Sequence, residues 1–302
     1  MLEQFKEYYR KAKMNQERLY QGANWTKEDI SDDLIWNVPI YDVVNRKYAA
    51  FSSFLEAIRF RSDDPKGNGK YFPREVSDQD FIDMCYLFRL CGSGINYKPK
   101  AKGQEPFGTH GFGNFWIVDE LKKGFTWRTD WIDCIPEKGF CDVKGYLLPM
   151  IKGGLRGFII KDSVELINHM KIFIYKSRKD DKVGIKEVVD YGNDWLLERG
   201  YKRQNFVLTA FAMDIAEYFP HLVDRDSDVY VGTNAKKCLK MILPNMKHDD
   251  ALRHLCIITG GHSKPYDMED VACDFIRYIE NFQSPDHIKF NKGVTYKNNI
   301  CS

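Results

Sequence analysis

A chain of 302 residues with 43% hydrophobic and 29% charged residues falls among ordinary globular proteins, so disorder is not the default. With 45 Lys and Arg against 43 Asp and Glu, the net charge is only +2, so a polyanion site must be a local patch and not a property of the whole surface. Eight scattered cysteines without a Cys-x-x-Cys pair, and an N-terminus without an apolar signal region, point to reduced thiols in a cytoplasmic protein. No run approaches the roughly 20 apolar residues that span a bilayer, so no membrane partner is expected.

In chain order, residues 2–20 have helical spacing, and a turn-rich passage follows at 22–33. Val44, Tyr48, Phe51, Leu55 and Ile58 then keep a helical period. Gly and Pro mark residues 63–73 as a loop. Residues 77–90 open with a Ser cap and a first-turn carboxylate and read as a buried helix. The stretch 117–150 is mixed, with 140–150 its most strand-like part. Residues 161–176 predict a helix and 176–184 an exposed linker, and the helical stretch 184–200 is interrupted at Gly192. The clearest helix lies within 205–223, where Val207, Phe211, Ile215 and Phe219 form a stripe with Asp214 at its edge. Two more helices are expected from about 234 to 242 and from about 268 to 281. The fold class is therefore mainly α: a single large helical domain with a helix-hairpin-helix-like element, comparable to DNA glycosylases by analogy only. It divides as an N-terminal helical segment, 1–80, and a catalytic helical domain, 81–302, or runs as one domain over 1–302.

Three segments can carry chemistry. In the first, Gly92 and Gly94 flank Ser93 where a helix ends, a place where glycine also serves as a plain cap. Gly111 and Gly113 lack that explanation, because they precede an aromatic run. Glycine there lets backbone N–H groups approach an anion, and Asn96, His110 and Asn114 add side-chain donors. His110 is the group of this segment suited to proton transfer near neutral pH. The second segment runs from Asp228 to Leu243. Gly232 makes a turn, Thr233 or Asn234 caps a helix, and Lys236 and Lys237 stand in its first turn, which suits a phosphate as well as an ordinary capped helix. In the third, Asp267, Asp270, Asp274 and Arg277 share a helix face, with Glu269 and Cys273 on another. These acids fit a base or an amine-orienting group, and equally a surface salt-bridge face. The histidines show no metal-ligand spacing, so no cofactor is expected, with a divalent ion left open.

Taken in order, "FVLTAFAMDIAEYFPHLVD", "VYVGTNAKKCL" and "DMEDVACDFIRYIE" resemble the α-glutamyl/putrescinyl thymine pyrophosphorylases, or amino acid:DNA transferases, relatives of the helical domain of 5-hydroxymethyluracil DNA kinases. That group carries a Gly-x-x-Ala element before a helix, matched by Gly232 and Ala235. An Asp-x-Glu-x-x-x-Cys-Glu-Phe-like helix follows, matched by Asp267, Glu269, Cys273 and Phe275, with Asp274 in place of the usual Glu. "FRLCGSGINY" and "HGFGNFW" look like its glycine-bearing segment, and the resemblance covers roughly residues 80–280. It implies a transferase for hypermodified thymine in bacteriophage DNA, at work in the host cytoplasm. An amino acid or polyamine displaces pyrophosphate from activated 5-hydroxymethyluracil in double-stranded DNA. On that reading His110, Asp270 and Asp274 are catalytic. Arg89, Gly92, Ser93, Gly94, Asn96, Gly111, Phe112, Gly113, Asn114 and Glu269 hold the substrate. Gly232, Thr233, Asn234, Lys236 and Lys237 meet the DNA backbone. A glycosylase-like base-excision enzyme and a non-catalytic DNA-binding protein stand as alternatives.

Overall fold

The computed structural model describes residues 1–37, 41, 44–48, 77–91, 162–177 and 182–283. Its elements in chain order are α1 (Leu2–Tyr20), α2 (Lys27–Ile30), α3 (Asp33–Asn37), a 3-10 turn (Arg46–Tyr48), α4 (Asp78–Cys91), α5 (Val164–Ser177), β1 (Val183–Gly184), α6 (Ile185–Glu198), α7 (Asn205–Tyr218), β2 (Val223–Asp224), α8 (Thr233–Ile242), α9 (His248–Ile258) and α10 (Pro265–Gln283). The protein is mainly helical. Among the described residues, no helix is long and apolar enough to cross a membrane.

By contact the chain forms two compact units that are not consecutive stretches of sequence. The first draws on Met1–Ser52 and Arg225–Val294, the second on Ser53–Asp224.

In the first unit α1 turns Phe5, Tyr8, Tyr9 and Ala12 inward. Phe5 and Tyr8 meet Phe275 of α10 with ring centroids 5.2 and 5.4 Å apart, and Tyr8 meets Tyr278 at 4.8 Å. Such aromatic pairs bury large areas and favour edge-on or tilted rings. Two amides on α1 then tie down the backbone that follows. Asn15 Nδ2 donates to the Ile35 carbonyl at 2.6 Å, and Gln16 Oε1 accepts from the amides of Val44 and Asn45. Tyr9 reaches Ser263, whose hydroxyl donates to the Val44 carbonyl at 2.6 Å. Buried polar side chains with complete partners fix one arrangement of the chain where an apolar contact alone would permit sliding. The helix expected from the period of Val44 and Tyr48 is, over its described part, a 3-10 turn, and the rest of it lies outside the described residues.

α8 packs on α10 through Ala235, Cys238, Leu239 and Ile242. α9 ends where Gly260 and Gly261 adopt φ of 96° and 71°, with Gly261 N–H bonded to the Cys256 carbonyl and Gly260 N–H to Ile257. This Schellman geometry requires the left-handed backbone that glycine accepts. His262 belongs to the turn that follows. Residues 219–232, which include β2, separate α7 from α8. The short connection is 243–247, after α8, and leads into α9.

The second unit is built from α4, α5, α6 and α7, with β1 and β2 paired in parallel through Val183 with Val223 and Gly184 with Asp224. α7 is buried from Val207 to Ala216 on every side, as a helix must be when it is apolar all round. Phe81 and Tyr86 of α4 meet Tyr218 and Phe211 of α7 edge-on, at 5.1 and 5.6 Å. Gly192 does not interrupt α6. A β-carbon there would lie 3.0 Å from Leu208 Cδ1 and 3.2 Å from Met170 Sδ, so glycine is the residue that lets three helices close together.

Candidate functional site

Gly92, Ser93, Gly94, Asn96, His110, Gly111, Phe112, Gly113 and Asn114 lie outside the described residues. The remaining residues singled out by sequence fall into two separate sets.

One set stands in the first unit, where α10 meets the amino end of α8. Glu269 is buried and its Oε1 accepts from the Gly232 N–H at 2.8 Å. Gly232 is the residue before α8, so the carboxylate answers one of the backbone donors that every helix leaves open at its start. A β-carbon on Gly232 would sit 3.1 Å from that oxygen, which accounts for glycine at this turn. Burial, and then the nearby Asp270, push the Glu269 carboxyl up to about 8. Both effects disfavour the charged form. The two motifs singled out on the sequence thus meet through one hydrogen bond.

The other acids of α10 are engaged as well. Asp267 bridges two backbone donors: Oδ1 accepts from Arg46 N–H at 2.6 Å and Oδ2 from Lys264 N–H at 2.8 Å. The second of these returns to the residue just before α10, the arrangement of a capping box. Asp270 accepts from Arg46 Nη1 at 2.6 Å, and the guanidinium is only 3% exposed against 35% for its partner. Asp274 accepts from Arg277 Nη1 at 2.7 Å along the helix. Asp270 and Asp274 are therefore arginine partners, and Glu269 is the carboxyl whose properties are shifted toward proton exchange near neutral pH. Arg46 joins this corner without any sequence signal. It lies more than 200 residues from Asp267 and Asp270, in a stretch read only for its apolar period. Burial also pushes the thiols of Cys238, Cys256 and Cys273 up to about 12, which disfavours the thiolate that a nucleophile needs.

Along α8, Thr233, Lys236, Lys237 and Lys240 are exposed, and Lys237 Nζ donates to Glu280 of α10 at 2.6 Å. The amino end of α8 differs from the phosphate receptor the sequence suggested. The Gly232 N–H is given to a carboxylate, so a phosphate arriving there meets an acceptor already in place.

The second set is a buried ion pair in the second unit. Arg89 Nε and Nη2 donate to the two oxygens of Asp214 at 2.6 and 2.7 Å, and both side chains are 1% exposed. This is the bidentate geometry in which the guanidinium plane matches a carboxylate. The resemblance implies that Arg89 holds the substrate. Its charge is instead committed to Asp214, where it locks α4 against α7. Asp214, an acid at the edge of the apolar stripe of α7, was the sequence signal for this partner. On the same α4, Asp83 pairs with Lys171 of α5 at 2.6 Å.

Among the described residues, no group of three or more His, Cys, Asp or Glu side chains is gathered as a metal site would require. No family model matches the chain, and no curated protein or solved structure matches it either.

Proposed function

We propose that the chain is a DNA-modifying transferase that joins an amine to the exocyclic methylene of 5-hydroxymethyluracil activated as its pyrophosphate. The observation that carries this reading is the Gly232–Glu269 hydrogen bond at 2.8 Å. It brings together the Gly-x-x-Ala turn and the acidic helix, the two motifs on which the resemblance to thymine-hypermodifying enzymes rests.

The chemistry needs a base for the incoming ammonium, which is unreactive until it loses a proton. In the step itself the amine nitrogen forms a bond to the methylene carbon, the carbon–oxygen bond breaks, and pyrophosphate leaves with the electron pair. A carboxyl poised near the working pH serves such proton transfer best, and Glu269 with its value near 8 meets that requirement among the α10 acids. Asp270 is held by Arg46 and Asp274 by Arg277. His110 and the glycine segments keep their proposed role around the base and its pyrophosphate. The target base is reached by extrusion from the duplex, at about a few kcal/mol.

The test is incubation with pyrophosphorylated hydroxymethyluracil DNA and a panel of amino acids and polyamines, followed by mass spectrometry of the released nucleosides. A heavier, intact nucleoside is expected, formed at a rate that rises with pH through about 8 in the wild type. Glu269→Gln is expected to lose that rising limb. Abasic sites would assign the protein to base excision, and unchanged nucleosides would leave only DNA binding.

A further inference from the structure

We infer that DNA lies along the outer flank of α8, held by Lys236 and Lys240, with Lys247 of the following connection as a further contact. The choice of DNA as the polyanion rests on the transferase reading. The choice of surface rests on the geometry below.

α8 is sharply two-sided. Ala235, Cys238, Leu239 and Ile242 are buried, while Lys236, Lys237 and Lys240 stand on the exposed side. Lys236 and Lys240 are four residues apart, so their side chains rise from the same flank, roughly 5–6 Å from one another at Cβ. Lys247, also exposed, stands in the connection that leads to α9. Lys237 is drawn to Glu280. No carboxylate of the described residues stands within ion-pair distance of Lys236, Lys240 or Lys247. Two exposed lysines on one flank of α8, and a third in the connection that follows, suit phosphates, whose binding releases condensed counterions and so gains most at low salt.

The amino end of α8 is the weaker candidate. A phosphate docking there would find the Gly232 N–H already given to Glu269 Oε1. Beyond Lys247, Asp249 and Asp250 open α9. They set a negative limit to the surface, which makes α9 a poor candidate to enter a groove. What remains is a basic edge that grips backbone and leaves sequence unread.

The experiment measures binding of the full chain to a short fluorescent duplex containing 5-hydroxymethyluracil across a salt series. Each phosphate contact contributes about 0.9 to the slope of log K against log salt. Lys236→Ala/Lys240→Ala is therefore expected to flatten the slope by about two. Lys236→Arg/Lys240→Arg should keep it, and Lys182→Ala, an exposed lysine of the second unit, should not alter it. An unchanged slope in the double alanine variant, with wild-type binding intact, overturns the surface and leaves the transferase reading standing. Absence of salt-sensitive duplex binding in the wild type overturns both. Selective loss of binding to anionic vesicles, with DNA binding unaltered, assigns the edge to a membrane and also overturns it.

Discussion

At the scale of single residues, Glu269 links stability to chemistry through one proton. Its folded-state value of about 8 lies above the ordinary carboxylate range, so the folded chain holds this proton more tightly than the unfolded chain. The stabilisation is complete below about pH 4.5 and is lost as pH rises through about 8, which is the reverse of an acid held by a cation. Denaturant melts between those limits should show this downward slope in the wild type and a smaller one in Glu269→Gln. Arg89 and Asp214 behave differently, because each leaves the other buried and unanswered when removed. Asp214→Ala is expected to cost about 3–5 kcal/mol in chemical denaturation, well above the cost of most single substitutions. A loss under about 1 kcal/mol would mean that the pair is not buried as described. Asp214 was legible as an oddity at the edge of an apolar stripe. Arg46 was not, since nothing local in "NRKY" announces a partner more than 200 residues away.

At the scale of elements, helices with a clear stripe were readable to within a few residues. α1, α7, α8 and α10 stand where period and caps placed them. α9 carries little sequence signal, because it opens with His-Asp-Asp, has no side-chain cap, and buries only Ala251, Leu252 and Leu255. Gly192 misleads for the opposite reason. Composition marks glycine as a break, whereas here tertiary packing leaves room only for a small residue. The distinction can be tested by size. Gly192→Ala gains about 1 kcal/mol of helix propensity, which offsets the small shift asked of Leu208 and Met170. Gly192→Val adds branched bulk against the same atoms and should destabilise by about 1–3 kcal/mol. Equal stability of the two variants, by thermal or denaturant melts, would contradict close packing at this point.

At the scale of the whole molecule, the first unit is made from the two ends of the described chain, with α1 and α10 in one core. Periodicity cannot reveal this, because it gives the apolar face of each helix but not the element that covers it. The same limit hid the corner around Glu269, whose parts were each visible as motifs while their meeting was not. A chain begun at residue 21 should lose the cooperative melting of the first unit, since Phe275 and Tyr278 would lose Phe5 and Tyr8 as neighbours. Retention of that transition would show that α1 is dispensable. The most direct measurement of the proposed activity is the stoichiometry of a single reaction on pyrophosphorylated hydroxymethyluracil DNA, with released pyrophosphate and incorporated amine counted together. One pyrophosphate for each amine joined to an intact base is the expected result. Pyrophosphate without amine, or free base without either, would contradict it.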